Sequence, residues 1–168
     1  VAKAIRHAHD YGLEQISIVL NTDDALPFVG KAVEGVLLGT YSFTSYKKDN
    51  KDRQKSYDKL KVNLVVVKTH DKQNRTYLNR YKKVCEAVNL ARDLINEPGG
   101  VATPEYLVAT SRKIAHESKL SIKVWDERLL KKEGYNGLIE VGKGSAHPPR
   151  MIRLTYRAKK KSSKILAL

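Results

Sequence analysis

An α/β fold is the class this sequence predicts, and three observations predict it. Runs with helical spacing alternate with short runs of β-branched residues along all 168 residues. Hydrophobic residues make up 41% of the chain, with only 10 Gly and 5 Pro, which suits a packed core and excludes a disordered or collagen-like chain. The uncharged apolar stretches, such as residues 35–46, fall well short of the roughly 20 residues a membrane-crossing helix needs. Cys85 is the one cysteine, so neither an internal disulfide nor a Cys-rich zinc site is expected. No basic, apolar, small-residue leader is read at the start, and a reducing, cytoplasmic location is the expectation.

Each element follows from local chemistry. Val1, Ala4, Ile5 and Ala8 fall at i, i+3, i+4, i+7 and predict an opening helix, which Gly12 ends. Residues 15–20 (QISIVL) read as a buried strand of β-branched residues. Asp23 and Asp24 stand as capping residues ahead of Pro27, and Phe28, Ala32, Val33, Val36 and Leu37 continue as a helix. The charged stretch 47–61 lacks apolar periodicity and reads as a surface loop. Residues 62–68 (VNLVVVK) form the next strand, and 69–76 a polar turn. Tyr77, Tyr81, Val84, Cys85, Val88, Ala91 and Ile95 then recur every three or four residues, the pattern of a helix of about 18 residues or more.

That helix is expected to stop at Asn96-Glu97-Pro98-Gly99-Gly100, where proline restrains its predecessor and paired glycines turn the chain, so a domain boundary belongs here. Thr103 caps a new helix with Pro104 in its first position and Leu107, Ile114 and Ala115 on its apolar side. Residues 121–125 (SIKVW) form a strand; Asp126 caps a short helix running through Glu133, and Gly134 ends it. Two more strands are expected, 137–141 and 151–156, joined by the turn-rich 142–149. In the second, Met151, Arg153, Thr155 and Arg157 alternate with Ile152, Leu154 and Tyr156, giving one basic and one apolar face. The first helix has no capping residue before it, and the apolar run 164–168 has no turn residue after it. The sequence therefore reads as an internal piece of a longer chain.

The formal charge is +14 and it is concentrated. Residues 47–83 carry 13 Lys/Arg against 4 Asp/Glu, and residues 150–164 carry 7 Lys/Arg and no acid. Lysines interleaved with Tyr46, Tyr57, Tyr77 and Tyr81 have the composition of a phosphate-backbone contact, in which cations release counterions and aromatic rings stack on bases. Lys47, Lys48, Lys59, Lys61, Lys159, Lys160 and Lys161 are the residues that reading selects. The plainer reading is solvated surface, because no helix-turn-helix, zinc-finger or RNA-recognition signature accompanies them.

Other chemistry-bearing residues resolve into structural roles. His7, His9, His70, His116 and His147 contain no HExxH, and His7 and His9 point to different helix faces. Cys85 sits on an apolar stripe and Trp125 in a strand, so both are assigned to core or interface. Gly142-Lys143-Gly144-Ser145 lacks the full phosphate-loop spacing and precedes Pro148-Pro149, which makes it a connecting turn.

Residues 89–107 (NLARDLINEPGGVATPEYL), residues 131–134, and residues 141–150 (VGKGSAHPPR) ahead of a strand ending in Tyr156 together resemble the leucyl aminopeptidase, or cytosol aminopeptidase, family of metallopeptidases. Residues 33–46 (VEGVLLGTYSFTSY) are similar to the end of that family's N-terminal domain; Gly100 departs from the asparagine often found there. The resemblance implies that residues 1–76 end a macro-domain-like N-terminal α/β domain, 77–100 form the connecting helix and linker, and 101–168 begin an α/β catalytic domain. It implies an exopeptidase releasing N-terminal residues from peptides with two divalent metal ions, zinc or manganese, and a homohexameric assembly. In such a centre the metals polarise the scissile carbonyl and generate hydroxide near neutral pH. The family's ligand motifs, VGKG continuing to FDSGG and then NTDAEGR, are expected beyond Leu168. Val141-Gly142-Lys143-Gly144 matches only the first letters and continues without an aspartate, so no metal ligand or catalytic residue is assigned within this sequence, and the 168 residues alone are expected to be inactive. Some members of the family also bind DNA, which keeps a basic nucleic-acid-binding module as the alternative. A nucleotide site of the macro type ranks last, because no glycine-rich ligand loop is visible in residues 1–95.

Overall fold

The computed structural model describes residues 1–21, 26–66, 71–158 and 166–167. The chain divides into two compact units, Val1–Asn96 and Glu97–Leu168.

The first unit runs α1 (Ala2–Asp10), β1 (Gln15–Leu20), α2 (Leu26–Leu37), α3 (Lys48–Lys59), β2 (Lys61–Val66) and α4 (Asp71–Asn96). Gly12 follows α1 at φ +68°, a left-handed turn that costs glycine nothing. β1 and β2 pair in parallel from Gln15↔Lys61 to Leu20↔Val66, which requires the crossover that α2 and α3 supply. Ile16, Ile18 and Leu20 are half-buried on one sheet face, while Val19 is 60% exposed on the other. β1 is thus covered on one side, not buried on both as its run of β-branched residues suggests.

The core of this unit is Ile5, Ala8, Val29, Ala32, Val33, Tyr57 and Cys85. The small residues on α2 let α4 approach closely: a Cβ at Gly30 would stand 2.5 Å from ring carbons of Tyr81. Cys85 is fully buried, and burial pushes its thiol pKa up, which suits an inert core residue.

Two expectations for this unit are corrected. Residues 47–61 hold α3, not a loop. Of the side chains described on this helix, only Tyr57 is buried and Gln54 is half-buried, so it has no stripe to read; it forms because Lys, Arg and Gln are good helix formers. The polar turn expected over 69–76 is helix from Asp71 onward, since α4 extends 26 residues and its first turns are polar. Asp23, Asp24, His70 and the strand end at 67–68 lie outside the described residues.

The second unit runs α5 (Pro104–Ser118), β3 (Ser121–Trp125), α6 (Glu127–Lys132), α7 (Asn136–Gly142) and β4 (Met151–Thr155). Thr103 caps α5 by accepting from the Tyr106 N–H, with Pro104 at its start, and Asp126 caps α6 by accepting from the Leu129 N–H at 2.8 Å. Gly134, at φ +79°, follows α6. β3 and β4 pair antiparallel, Ser121↔Thr155 to Trp125↔Met151. Val108, Ala115, Trp125 and Leu130 are its core.

Residues 137–141 are helical, within α7, and not a strand. A five-residue segment with Leu138, Ile139 and Val141 around one charge, Glu140, is ambiguous between the two by pattern alone. β3 pairs directly with β4, and the 142–149 turn therefore joins a helix to a strand. On α5 the buried residues are Val108 and the expected Ala115, while Leu107 is 40% exposed. The apolar face of β4 is also less covered than its alternation suggests, with Leu154 41% and Tyr156 75% exposed.

Candidate functional site

The lysines selected for polyanion contact stand at the two ends of α3. Lys47 and Lys48 open the helix; Lys59 ends it and Lys61 begins β2, and all four are exposed. At 1.5 Å per residue the two pairs are about 16 Å apart. Between them Lys51, Arg53 and Lys55 alternate with Asp49, Asp52 and Asp58, so the helix is a mixed-charge surface. Tyr57 is corrected from base-stacking surface to core: it is 8% exposed, its ring lies 4.1 Å from that of His9, and the Arg53 guanidinium sits 5.8 Å from its centroid. Tyr81 is likewise engaged, stacked on Tyr77 and set against Gly30. Lys159, Lys160 and Lys161 lie outside the described residues.

A better-built arrangement surrounds the segment after α2. The last carbonyls of α2 lack helical partners, and α4 supplies them. Asn89 Nδ2 donates to the Leu37 carbonyl at 3.2 Å and Arg92 Nη1 to that of Leu38 at 3.2 Å. Tyr41 then lies under the Arg92 guanidinium, 5.4 Å from ring centroid to Cζ, and donates to Asp93 Oδ1 at 2.7 Å while accepting from Asn96 Nδ2 at 3.2 Å. Burial and the bond to Asp93 push the Tyr41 phenol pKa up. Asn89, Arg92, Asp93 and Asn96 belong to the motif NLARDLIN, and this is its local physical meaning: one face of α4 clamps residues 37–41. Next to the clamp is a cavity of about 560 Å³, with Leu37, Tyr41, Tyr57, Asp58 and Asp93 among its walls.

In the second unit the indole of Trp125 is the anchor. Its Nε1 donates to Glu133 Oε2 at 2.6 Å, Lys123 Nζ lies 4.0 Å from the ring centroid and 3.3 Å from Glu133 Oε1, and Arg153 flanks the ring at 5.4 Å. The Trp125 bond, with Lys123 beside it, holds the Glu133 carboxyl below the usual carboxylate range. Arg150 of the PPR segment donates from Nε to Glu105 Oε2 at 2.9 Å, tying the start of β4 to the first turn of α5. These contacts are structural.

A two-metal centre does not fit these residues. Among the described residues no group of three or more His, Cys, Asp or Glu is placed to hold a metal ion. Lys143 is exposed and lies 3.4 Å from Glu140 in a surface pair. Nor is any described helix long and apolar enough to cross a membrane.

The clamp and the cavity walls Asp58 and Asp93 were not singled out from the sequence, and Tyr57 was singled out only as a surface ring. A spacing argument finds metal, nucleophile and phosphate motifs; the signal here was the polar cluster Asn89, Arg92, Asp93 on an otherwise core-facing helix.

Residues 89–168 match the profile of the cytosol aminopeptidase family, catalytic domain. The probable cytosol aminopeptidase of Wolinella succinogenes is 34% identical over 170 residues, covering 98% of this chain and 34% of its own length. That of Rhodococcus erythropolis is 35% identical over 158 residues, covering 94% and 30%. Among solved structures, the bottromycin maturation enzyme BotP in complex with Mn superposes with a TM-score of 0.76 at 28% identity, over 94% of this chain and 32% of that one. A tomato leucine aminopeptidase mutant shares the fold, with a TM-score of 0.75 at 20% identity over 96% and 33%. The chain spans about a third of the length of the curated relatives it matches. With these matches running through both of its units, the chain belongs to the cytosol aminopeptidase family.

Proposed function

We propose that this chain works within a metal-dependent aminopeptidase that releases N-terminal amino acids from peptides. Residues 1–76 serve as the last part of an N-terminal α/β domain, 77–100 as connecting helix and linker, and 101–168 as the beginning of the catalytic domain. The observation that carries this reading is the 34% identity to the Wolinella protein over 98% of the chain. The sequence contains neither FDSGG nor NTDAEGR, so on this reading the ligands of the two divalent ions, zinc or manganese, are supplied outside these 168 residues. The manganese complex of BotP supports the choice of metals. Peptide substrates, a homohexamer and a cytoplasmic location belong to the same proposal.

The role assigned to the chain's own residues is support. Asn89, Arg92 and Asp93 hold the end of α2, and Trp125, Glu133 and Arg150 hold the β3–β4 pair. Two measurements test the reading. The coding sequence after Leu168 is expected to continue in frame into FDSGG-type and NTDAEGR-type motifs, and the product of that longer frame to hydrolyse a leucine anilide with Mn²⁺. The 168 residues alone are expected not to do so. A stop codon after Leu168, or metal-dependent hydrolysis by the 168 residues themselves, overturns it.

A second reading, polyanion contact through Lys47, Lys48, Lys59 and Lys61, is favoured by the exposure of all four. It predicts duplex-DNA binding that weakens steeply with salt and with charge reversal at these lysines. Salt-insensitive or undetectable binding removes it.

A further inference from the structure

We propose that α3 is a hinged lid over the cavity of the first unit, latched by Tyr57 and able to open while α1, α2, β1, β2 and α4 stay folded.

The cavity of about 560 Å³ has a fixed side and a detachable one. Ile5 of α1, Val36 and Leu37 of α2 and Val62 of β2 form apolar walls on the fixed side, while α3 contributes Gln54, Tyr57 and Asp58. Among the described side chains of α3 only Tyr57 is buried and Gln54 half-buried; the others face solvent. A helix that buries so little apolar area opens at lower cost than one carrying a core stripe. The chain on either side of it is held. Before α3, Tyr41 is clamped by Asp93 at 2.7 Å and Asn96 at 3.2 Å. After it, the Lys61 N–H donates to the Glu14 carbonyl at 2.9 Å and β2 enters its ladder with β1. Residues 42–47 and Leu60 lie between these anchors and α3, and they serve as the hinges.

The latch supplies an independent observation. The Tyr57 ring packs on α1 with its centroid 4.1 Å from that of His9. The Tyr57 hydroxyl and His9 Nε2 are both buried without a hydrogen-bond partner among the described residues. One such atom is rare in a folded protein; two at a single contact mean that closing the lid forfeits hydration which opening restores. On the other side of the helix Gln54 Oε1 accepts from the Ser42 N–H at 3.2 Å, a bond that water can replace. Burial of the Tyr57 ring thus holds α3 shut, and the two orphaned polar atoms weaken that hold. Opening uncovers Ile5, which is 1% exposed when the lid is closed, and admits solutes to the apolar walls.

Amide exchange of the 168-residue protein in a series of low urea concentrations tests the lid. The amides of residues 52–58 are expected to exchange about a hundredfold faster than those of Cys85 and Asn89, and almost independently of urea, because opening exposes one helix and not the whole core. Tyr57→Phe keeps the ring and deletes the orphaned hydroxyl. It is expected to slow exchange in α3 about fivefold or more. His9→Phe deletes the orphaned nitrogen, is expected to act in the same direction, and serves if Tyr57→Phe fails to fold. Tyr57→Ala removes the latch and is expected to leave α3 amides unprotected in a unit whose α4 amides stay dispersed and protected. Exchange of α3 at the rates and urea slope of α4, faster α3 exchange in both phenylalanine variants, or unfolding of the whole unit by Tyr57→Ala overturns the proposal. These readouts need neither metal nor peptide substrate, so their outcome is independent of the aminopeptidase reading.

Discussion

The two strand pairs of this protein are stabilised in opposite ways. β1 and β2 run parallel, with helices over one face and Val19 and Val65 left 60% and 43% exposed on the other. β3 and β4 run antiparallel around Trp125, which is 3% exposed and engaged on its edge and flank by Glu133, Lys123 and Arg153. The first unit therefore depends on close packing of α2 on α4, through small residues. The second depends on one large side chain whose polar contacts set its orientation.

The sharpest way to break that contrast is to empty the second core. Leu130 is fully buried, so Leu130→Ala is expected to cost about 2–5 kcal/mol. Hydrogen exchange should show β3 and β4 amides losing protection while those of α4 keep theirs; equal loss in both units would show that the two cores are not separate. The first unit is broken by addition. Gly30→Ala places a methyl against Tyr81 and is expected to cost about 1–3 kcal/mol, read by denaturant unfolding. Tyr81→Leu in the same chain should recover part of that loss.

A pH titration sharpens the second half of the comparison. Glu133 is held ionised by Trp125 and Lys123, so its folded pKa lies below its unfolded one. The unfolded chain then binds the proton more readily, and the stabilisation is present above the ordinary glutamate range and lost as pH falls through the lowered value. Protection of β3 amides is expected to fall in that acid window, and Glu133→Gln to flatten the response. The smallest effect belongs to Lys119, which ends α5 at φ +53°, ψ +42°. Lys119→Gly relieves a left-handed non-glycine residue and is expected to stabilise by about 0.5–1 kcal/mol, a rise in midpoint and not a change in slope.

Legibility in the sequence followed the amount of apolar pattern. α4, α5, β1 and the Asp126-capped turn were readable because Cys85, Ala115, Ile16 and Thr103 sit at spacings or caps that permit one conformation. α3 was not, since a single buried residue among its described side chains, Tyr57, cannot show a period. Residues 137–141 were misread because Leu138, Ile139 and Val141 suit a strand, and only the direct pairing of Trp125 with Met151 removes that option. The family was legible from residues 89–107 and 141–150 as words. What those words do was not: that Asn89 and Arg92 cap another helix is a fact about residues 52 and 54 positions away. The cavity was illegible for the same reason, its walls coming from α1, α2, α3, β2 and α4 at once.

The parallel pairing of β1 and β2 also bears on how quickly the first unit can assemble. Partners such as Ser17 and Asn63 lie 46 positions apart, so the ladder rewards the chain only after a long loop has closed. The helical hydrogen bonds within α4, by contrast, are local, and helices of its kind form in about a microsecond or less. A folding transition state for this unit is therefore expected to contain α4 with α2 docked on it, the two strands meeting late, and variants at Val19 or Val65 to act on the unfolding rate more than on the folding rate.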